Sequence, residues 1–107
     1  MTYKSVTEIL QAIKKKKISA SEITSEYFER IKASDGDLNC FITLTEEAAL
    51  NTAKEIDKDI SKNKFKPLSG LPIAQKDIFC TKGVKTSCGS KMLDNFISPY
   101  DATVVDK

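Results

Sequence analysis

Gly70-Leu71-Pro72-Ile73-Ala74-Gln75-Lys76-Asp77 is an apolar run that ends on a lysine. Leu71 to Lys76 reads as a strand. Alternation along it puts Pro72, Ala74, Lys76 and Ile78 on one face and Leu71, Ile73, Gln75 and Asp77 on the other. An ammonium carried into a protein interior is stripped of water, which disfavours its charged form and turns a cation into a proton acceptor near neutral pH. The chain has no histidine, so acid–base work at pH 7 needs another side chain, and Lys76 is the best placed. Small Ala74 leaves room for a hydroxyl to approach the amine, as a general base activating a serine for acyl transfer requires. The spacing fits equally a lysine that reaches solvent from a strand end.

Downstream, Ile78-Phe79-Cys80 extends the strand or turns away from it. Gly83 and Gly89 then punctuate a stretch holding Thr81, Thr86, Ser87 and Ser90. These hydroxyls are candidate nucleophiles or donors near Lys76, and equally residues that favour turns through local backbone bonding. Neither a Walker-type phosphate loop nor the dinucleotide glycine pattern is present. Asn95 to Asp101, with Pro99, reads as a loop, and Asp101 as the N-cap of a helix starting at Ala102. A helix with so few residues before Lys107 gains little without packing, so the sequence reads as cut.

Upstream the pattern is helical. Ser5-x-x-Glu8 is a capping box, after which Val6, Ile9, Leu10 and Ile13 form one apolar stripe. Lys14 to Lys17 close this helix where positive charge suits the end of the dipole, as a solvated terminus or a nucleic-acid patch. A second box, Ser19-x-x-Glu22, precedes Ile23, Tyr27, Phe28 and Ile31, with a stop expected near Ser34-Asp35-Gly36. The short connection between the two helices predicts an antiparallel pair. Leu38 to Leu44 reads as a short strand. A third helix follows Thr45-Glu46-Glu47, with Ala49, Ala53, Ile56 and Ile60 inward and Lys54, Asp57, Lys58 and Lys62 in water. Lys62 to Gly70 is a loop.

The 107 residues allow one domain at most, and 17 basic against 15 acidic side chains do not read as a dedicated nucleic-acid binder. Cys40, Cys80 and Cys88 are odd in number and lack metal-ligand spacing, which suits reduced thiols. Met1 to Ser5 lacks the apolar core of a signal peptide, and no apolar run reaches the ~20 residues needed to span a bilayer. The expected compartment is the cytoplasm, and no metal site is expected.

Leu68-Ser69-Gly70-Leu71-Pro72-Ile73-Ala74-Gln75-Lys76-Asp77, followed by Cys80-Thr81-Lys82-Gly83-Val84-Lys85-Thr86-Ser87-Cys88-Gly89-Ser90, strongly resembles the amidase signature family. Asn39 to Leu44, Ser98 to Val105 and the capped helix pair resemble it too, so the likeness runs through essentially the whole chain. Within the family the texture is similar to the tRNA-linked, glutamine-dependent amidotransferases. The resemblance implies an α/β fold, a mixed β-sheet layered between helices. Residues 1–107 would be the N-terminal fragment of a single larger domain, with 1–35 as a helical pair and 36–107 as the start of the α/β core.

The resemblance also implies a Ser–cis-Ser–Lys triad with Lys76 as its lysine. Both serines would lie downstream of residue 107, with Ser87 and Ser90 only supporting the lysine. Glutamine would be hydrolysed through an acyl-enzyme, and the ammonia would pass to a B subunit that amidates misacylated tRNA with ATP and magnesium. A C subunit would complete a heterotrimer. This chain would itself bind no cofactor and be inactive alone, with a partly disordered or self-associating structure once its strand lacked neighbours. The alternatives are a fragment of a family member that hydrolyses small carboxamides, or a non-catalytic helical interaction module binding RNA weakly through Lys14–Lys17.

Overall fold

The computed structural model describes residues 3–107, which divide into two compact units. One unit comprises residues up to 40 and 45–73; the other comprises 41–44 and 74–107.

The first unit is helical, built from α1 (Val6–Lys14), α2 (Ala20–Leu38) and α3 (Glu46–Ser61). The expected stripes are the ones that bury. Ile9 and Ile13 of α1, Ile23 of α2 and Ile60 of α3 form the core, and Ile18, Tyr27, Ile56 and Leu71 pack against it. Each such isoleucine contributes about 1.5–3 kcal/mol relative to leaving it in water. Alanines at Ala12, Ala20 and Ala53, all buried, let the backbones come close. Val6, at the start of the α1 stripe, stays half exposed.

The extended helix–helix contact is between α2 and α3, not the expected α1–α2 pair. The reason is polar as well as apolar. Asp57 on α3 accepts from the Ala20 amide (2.7 Å), the Ser21 amide (3.1 Å) and the Ser21 hydroxyl (2.6 Å). At the other end Lys32 of α2 reaches Glu46 of α3 at 2.9 Å. These two ties make the helices antiparallel. Asp57 is thus half-buried at a helix N-terminus rather than wet, as its place among charged neighbours had suggested.

Helix ends follow local chemistry. Ser19 and Glu22 form the complete capping box, and the Ser19 backbone N–H, donating to Glu22, holds that carboxyl below its ordinary value. At α1 Ser5 accepts from the Glu8 amide at 3.2 Å, but Glu8 reaches back to the Lys4 amide rather than to Ser5. Helix α2 runs past Gly36 to Leu38 and stops at Asn39, which takes the left-handed conformation (φ 52°). Glycine inside a helix costs only about 1 kcal/mol. The Asp35 carboxylate meanwhile rewards the later stop by accepting from the Cys40 amide at 2.6 Å.

Helices α1 and α3 both end in Schellman motifs. The Lys17 amide donates to Ala12 and the Lys16 amide to Ile13; at α3 the pairs are Lys64 to Asp59 and Asn63 to Ile60. The left-handed positions are Lys16 (φ 56°) and Asn63 (φ 58°), and the Lys16 ammonium donates to Asn63 Oδ1 at 3.5 Å. Gly70 (φ 85°) closes the unit, where an added Cβ would lie 3.0 Å from Ala20 Cβ and 3.2 Å from Ile13 Cδ1.

Neither expected strand forms. Leu38 belongs to α2, and residues 39–45 and 71–76 carry no regular secondary structure. A strand exists only through pairing, and no described segment pairs with 71–76. Among the described residues the structure is helical, with a single isolated antiparallel bridge, Lys85 to Ile97.

Candidate active site

The second unit holds Lys76 and the candidate hydroxyls. Ser87, Thr86 and Ser98 are its buried residues; most of its large aliphatic side chains, among them Ile78, Met92, Ile97 and Val104, are exposed, with Val84 and Val105 half-buried. Backbone bonds close it: Gly83 to Ser98 (2.8 Å), Ser98 to Val84 (3.2 Å), Thr86 to Phe96 (3.0 Å) and Ala102 to Cys80 (2.8 Å). A 3₁₀ turn at Lys91–Leu93 is capped by Ser90, and α4 spans Thr103–Asp106. Asp101, expected as the cap of that last helix, instead accepts from the Lys82 amide at 2.7 Å, leaving Ala102 as the cap residue. The Lys85 ammonium pairs with Asp94 at 2.6 Å.

Lys76 lies at the head of this unit with its side chain exposed. Its carbonyl accepts from the Phe79 amide at 3.0 Å, which turns the chain immediately after it. The expected drying of the amine is therefore not supplied by the described residues, because with no sheet around 71–76 nothing covers that face.

The residue that organises the site is its neighbour, Asp77. The Asp77 carboxylate accepts from the Ser87 hydroxyl (2.6 Å), the Ser87 amide (3.0 Å) and the Gly89 amide (3.3 Å), and its carbonyl from the Cys88 amide (3.2 Å). The Ser87 hydroxyl, foremost among these donors, holds the Asp77 carboxyl below its ordinary range. Cys88 (φ 52°) and Gly89 (φ 66°) occupy the central positions of a turn closed by Ser90 to Ser87 at 2.8 Å. Positive φ at both central positions is the type I′ signature, and the turn aims the alternate amides of Ser87 and Gly89 at the carboxylate and the Cys88 amide at the Asp77 carbonyl.

This geometry sorts the candidate nucleophiles. Ser87 is buried and spends its proton on Asp77; Ser90 accepts from the Met92 amide at 3.3 Å. Thr81 and Thr86 donate to the carbonyls of Phe79 and Val84 at 3.5 and 3.4 Å. All four serve the loop. Sequence patterning gives Asp77 no role beyond its place on one strand face; the local signal is Ser87-Cys88-Gly89-Ser90, a turn sequence whose amides can face an acceptor. Elsewhere in this unit Tyr100 is raised above its ordinary range by hydrogen bonding with the Cys80 thiol. Cys40, Cys80 and Cys88 are free thiols, and no group of three or more His, Cys, Asp or Glu among the described residues could hold a metal. No helix of the described residues is long and apolar enough to cross a membrane.

Known proteins match this chain throughout. It is 54% identical over all 107 residues to the A subunit of the glutamyl-tRNA(Gln) amidotransferase of Coxiella burnetii, spanning 22% of that protein. It is also 54% identical over 103 residues to the protein of the same name from Nitrosomonas europaea, spanning 21%. The chain thus covers about a fifth of the relatives it matches, in their N-terminal region. A solved structure from a vestigial protein complex bearing on the evolutionary origins of an s-triazine catabolic enzyme superposes with a TM-score of 0.91 at 33% identity. That likeness covers 96% of this chain and 23% of the other. The amidase family model matches residues 22–107, and the chain belongs to the amidase family.

Proposed function

We propose that this chain is the N-terminal part of the A subunit of a glutamyl-tRNA(Gln) amidotransferase and that Lys76 is the base of its amide-hydrolysing centre. The observation that carries the reading is the 54% identity along the entire chain to that protein, against 33% to the s-triazine-linked structure. A small-carboxamide hydrolase is the less favoured alternative.

In this reading Asp77 and the Ser87–Gly89 turn form the platform that fixes the backbone next to Lys76. Four bonds to one residue leave little freedom in the peptide that follows the lysine. An ordinary lysine amine, with a pKa near 10.4, is neutral in only about one molecule in 2,500 at pH 7. A lysine base therefore needs apolar surface laid over it, and that surface would come from further parts of the amidase fold, including the mixed sheet into which 71–76 would pair. The neutral amine would take a proton through a bridging serine, and a second serine would attack the glutamine carboxamide carbon. Ammonia would leave as the acyl-enzyme forms, and water would then release glutamate. The B and C partners, with ATP and magnesium at B, would use that ammonia on tRNA-bound glutamate in the cytoplasm.

A chimera tests the reading. The first 107 residues of the Coxiella burnetii relative are replaced by this chain, and ammonia release from glutamine is measured with the B and C partners present. The chimera is expected to be active, with Lys76→Ala lowering kcat at least 10³-fold and Lys76→Arg failing to restore it. The 107-residue chain alone is expected to release no ammonia. A chimera whose Lys76→Ala variant keeps kcat within tenfold would remove Lys76 from catalysis.

A further inference from the structure

The net charge of +2 conceals a segregation. The Schellman ends of α1 and α3 lie together, tied by the Lys16 to Asn63 bond, and bring two lysine runs side by side. Lys14, Lys15, Lys16 and Lys17 come from one, and Lys62, Lys64 and Lys66 from the other; all seven are exposed. Lys14 and Lys66 line one groove of about 410 Å³. Neither residues 14–17 nor residues 61–66 contain an acid. A separate group of acids, Asp35, Asp37, Glu46 and Glu47, marks the opposite end of the helical unit, at the end of α2 and the start of α3.

We propose that this end of the helical unit is a binding surface for an RNA phosphate backbone. The two helix C-termini each carry roughly half a negative charge. Together with Glu22 in the first turn of α2 and Asp57 and Asp59 near the end of α3, they offset about half of the seven ammonium charges and leave the surface positive. Lysine suits this use, being a point charge on a long flexible stem that grips phosphates without reading bases. A run of four lysines alone is ordinary at a helix end, but a second run brought beside it by the fold is not demanded by either helix. The choice of RNA among polyanions rests on the amidotransferase reading, since the matched relatives act in the chemistry of a tRNA; the charge surface itself does not.

The test is fluorescence anisotropy of a fluorescein-labelled tRNA transcript titrated with the purified protein from 50 to 200 mM salt, circular dichroism monitoring the fold. Four or five phosphate contacts predict a slope of log K against log salt of about −3 to −4, a loss of roughly 100-fold across that range. The variant Lys14→Gln/Lys16→Gln/Lys64→Gln/Lys66→Gln is expected to weaken binding at least tenfold at 50 mM salt and to flatten the slope by about 3. A variant with the same charge change placed elsewhere, Lys54→Gln/Lys82→Gln/Lys91→Gln/Lys107→Gln, should lose less than threefold. Equal losses in both variants would overturn the proposal, as would a flat salt response or tighter binding to phosphatidylserine vesicles than to tRNA. These readouts are independent of ammonia release, so failure here leaves the glutaminase reading standing, while failure of that reading would leave the charge surface but not the choice of RNA.

Discussion

The two units reach order by different means. In the helical unit the buried side chains are mainly aliphatic, Ile9, Ile13, Ile23 and Ile60 with three alanines, and periodicity places them there. In the loop unit the buried side chains are Thr86, Ser87 and Ser98, each hydrogen-bonded, while most of the large aliphatic groups face outward. An apolar core is non-directional and tolerates exchange of one hydrocarbon for another. A polar hub is directional, with each bond contributing about 1 kcal/mol net and each unmet partner costing more. The helical unit is therefore held by an apolar core, and the loop unit is a hydrogen-bonded scaffold whose large apolar groups are mostly exposed.

The sharpest break in this comparison is a cavity. Ile23→Ala removes a fully buried side chain and is expected to cost about 3 kcal/mol, read as a lower urea midpoint at 222 nm. A cost under 1 kcal/mol would mean that the helices do not depend on their core. Next comes the polar tie inside the apolar unit. Asp57→Ala strips three hydrogen bonds from the start of α2 and should cost about 2 kcal/mol in the same measurement, with Asp57→Asn recovering part of it.

The loop unit should instead answer to pH. The Asp77 carboxyl is lowered from an ordinary 3.8 in the folded protein, so its contribution is fully present above that value and is lost as pH falls through the lowered one. The Ser87 and Gly89 amide shifts should titrate together in an NMR series with a midpoint below 3.8, and Asp77→Asn should abolish that step. A midpoint at or above the ordinary value would contradict the hub. The smallest effect is a gain: Lys16→Gly relieves a left-handed lysine and should raise stability by about 0.5–1 kcal/mol. The helical signal alone would move.

Legibility in the sequence followed the range of each interaction. The stripes of α1, α2 and α3 and the Ser19–Glu22 box depend on neighbours three to eight positions away, and all are visible in the residue order. The partner of α2 depended on Asp57, a residue 36 positions beyond Ser21, and no local pattern announces such a cap. The run at 71–76 reads as a strand because its composition suits one, yet pairing is a property of two segments. Lys76 was singled out by type and position. What anchors its neighbourhood, the bond from Ser87 to Asp77 across ten positions, became visible only with the turn that delivers it.

The reach of Asp57 has a consequence for the order in which the chain acquires structure during synthesis. At about 5–20 residues per second, the ribosome adds Asp57 roughly two to seven seconds after Ser21, with the separation of 36 positions fixed by the sequence. Through that interval the first turn of nascent α2 has its own Ser19 and Glu22 and the apolar face of α1 against Ile23, but not the carboxylate that caps it. The emerging α3 then supplies the missing acceptor and, with it, the direction in which the two helices lie. The aspartate works as a latch that arrives late and lets an already wound helix be captured in a single orientation.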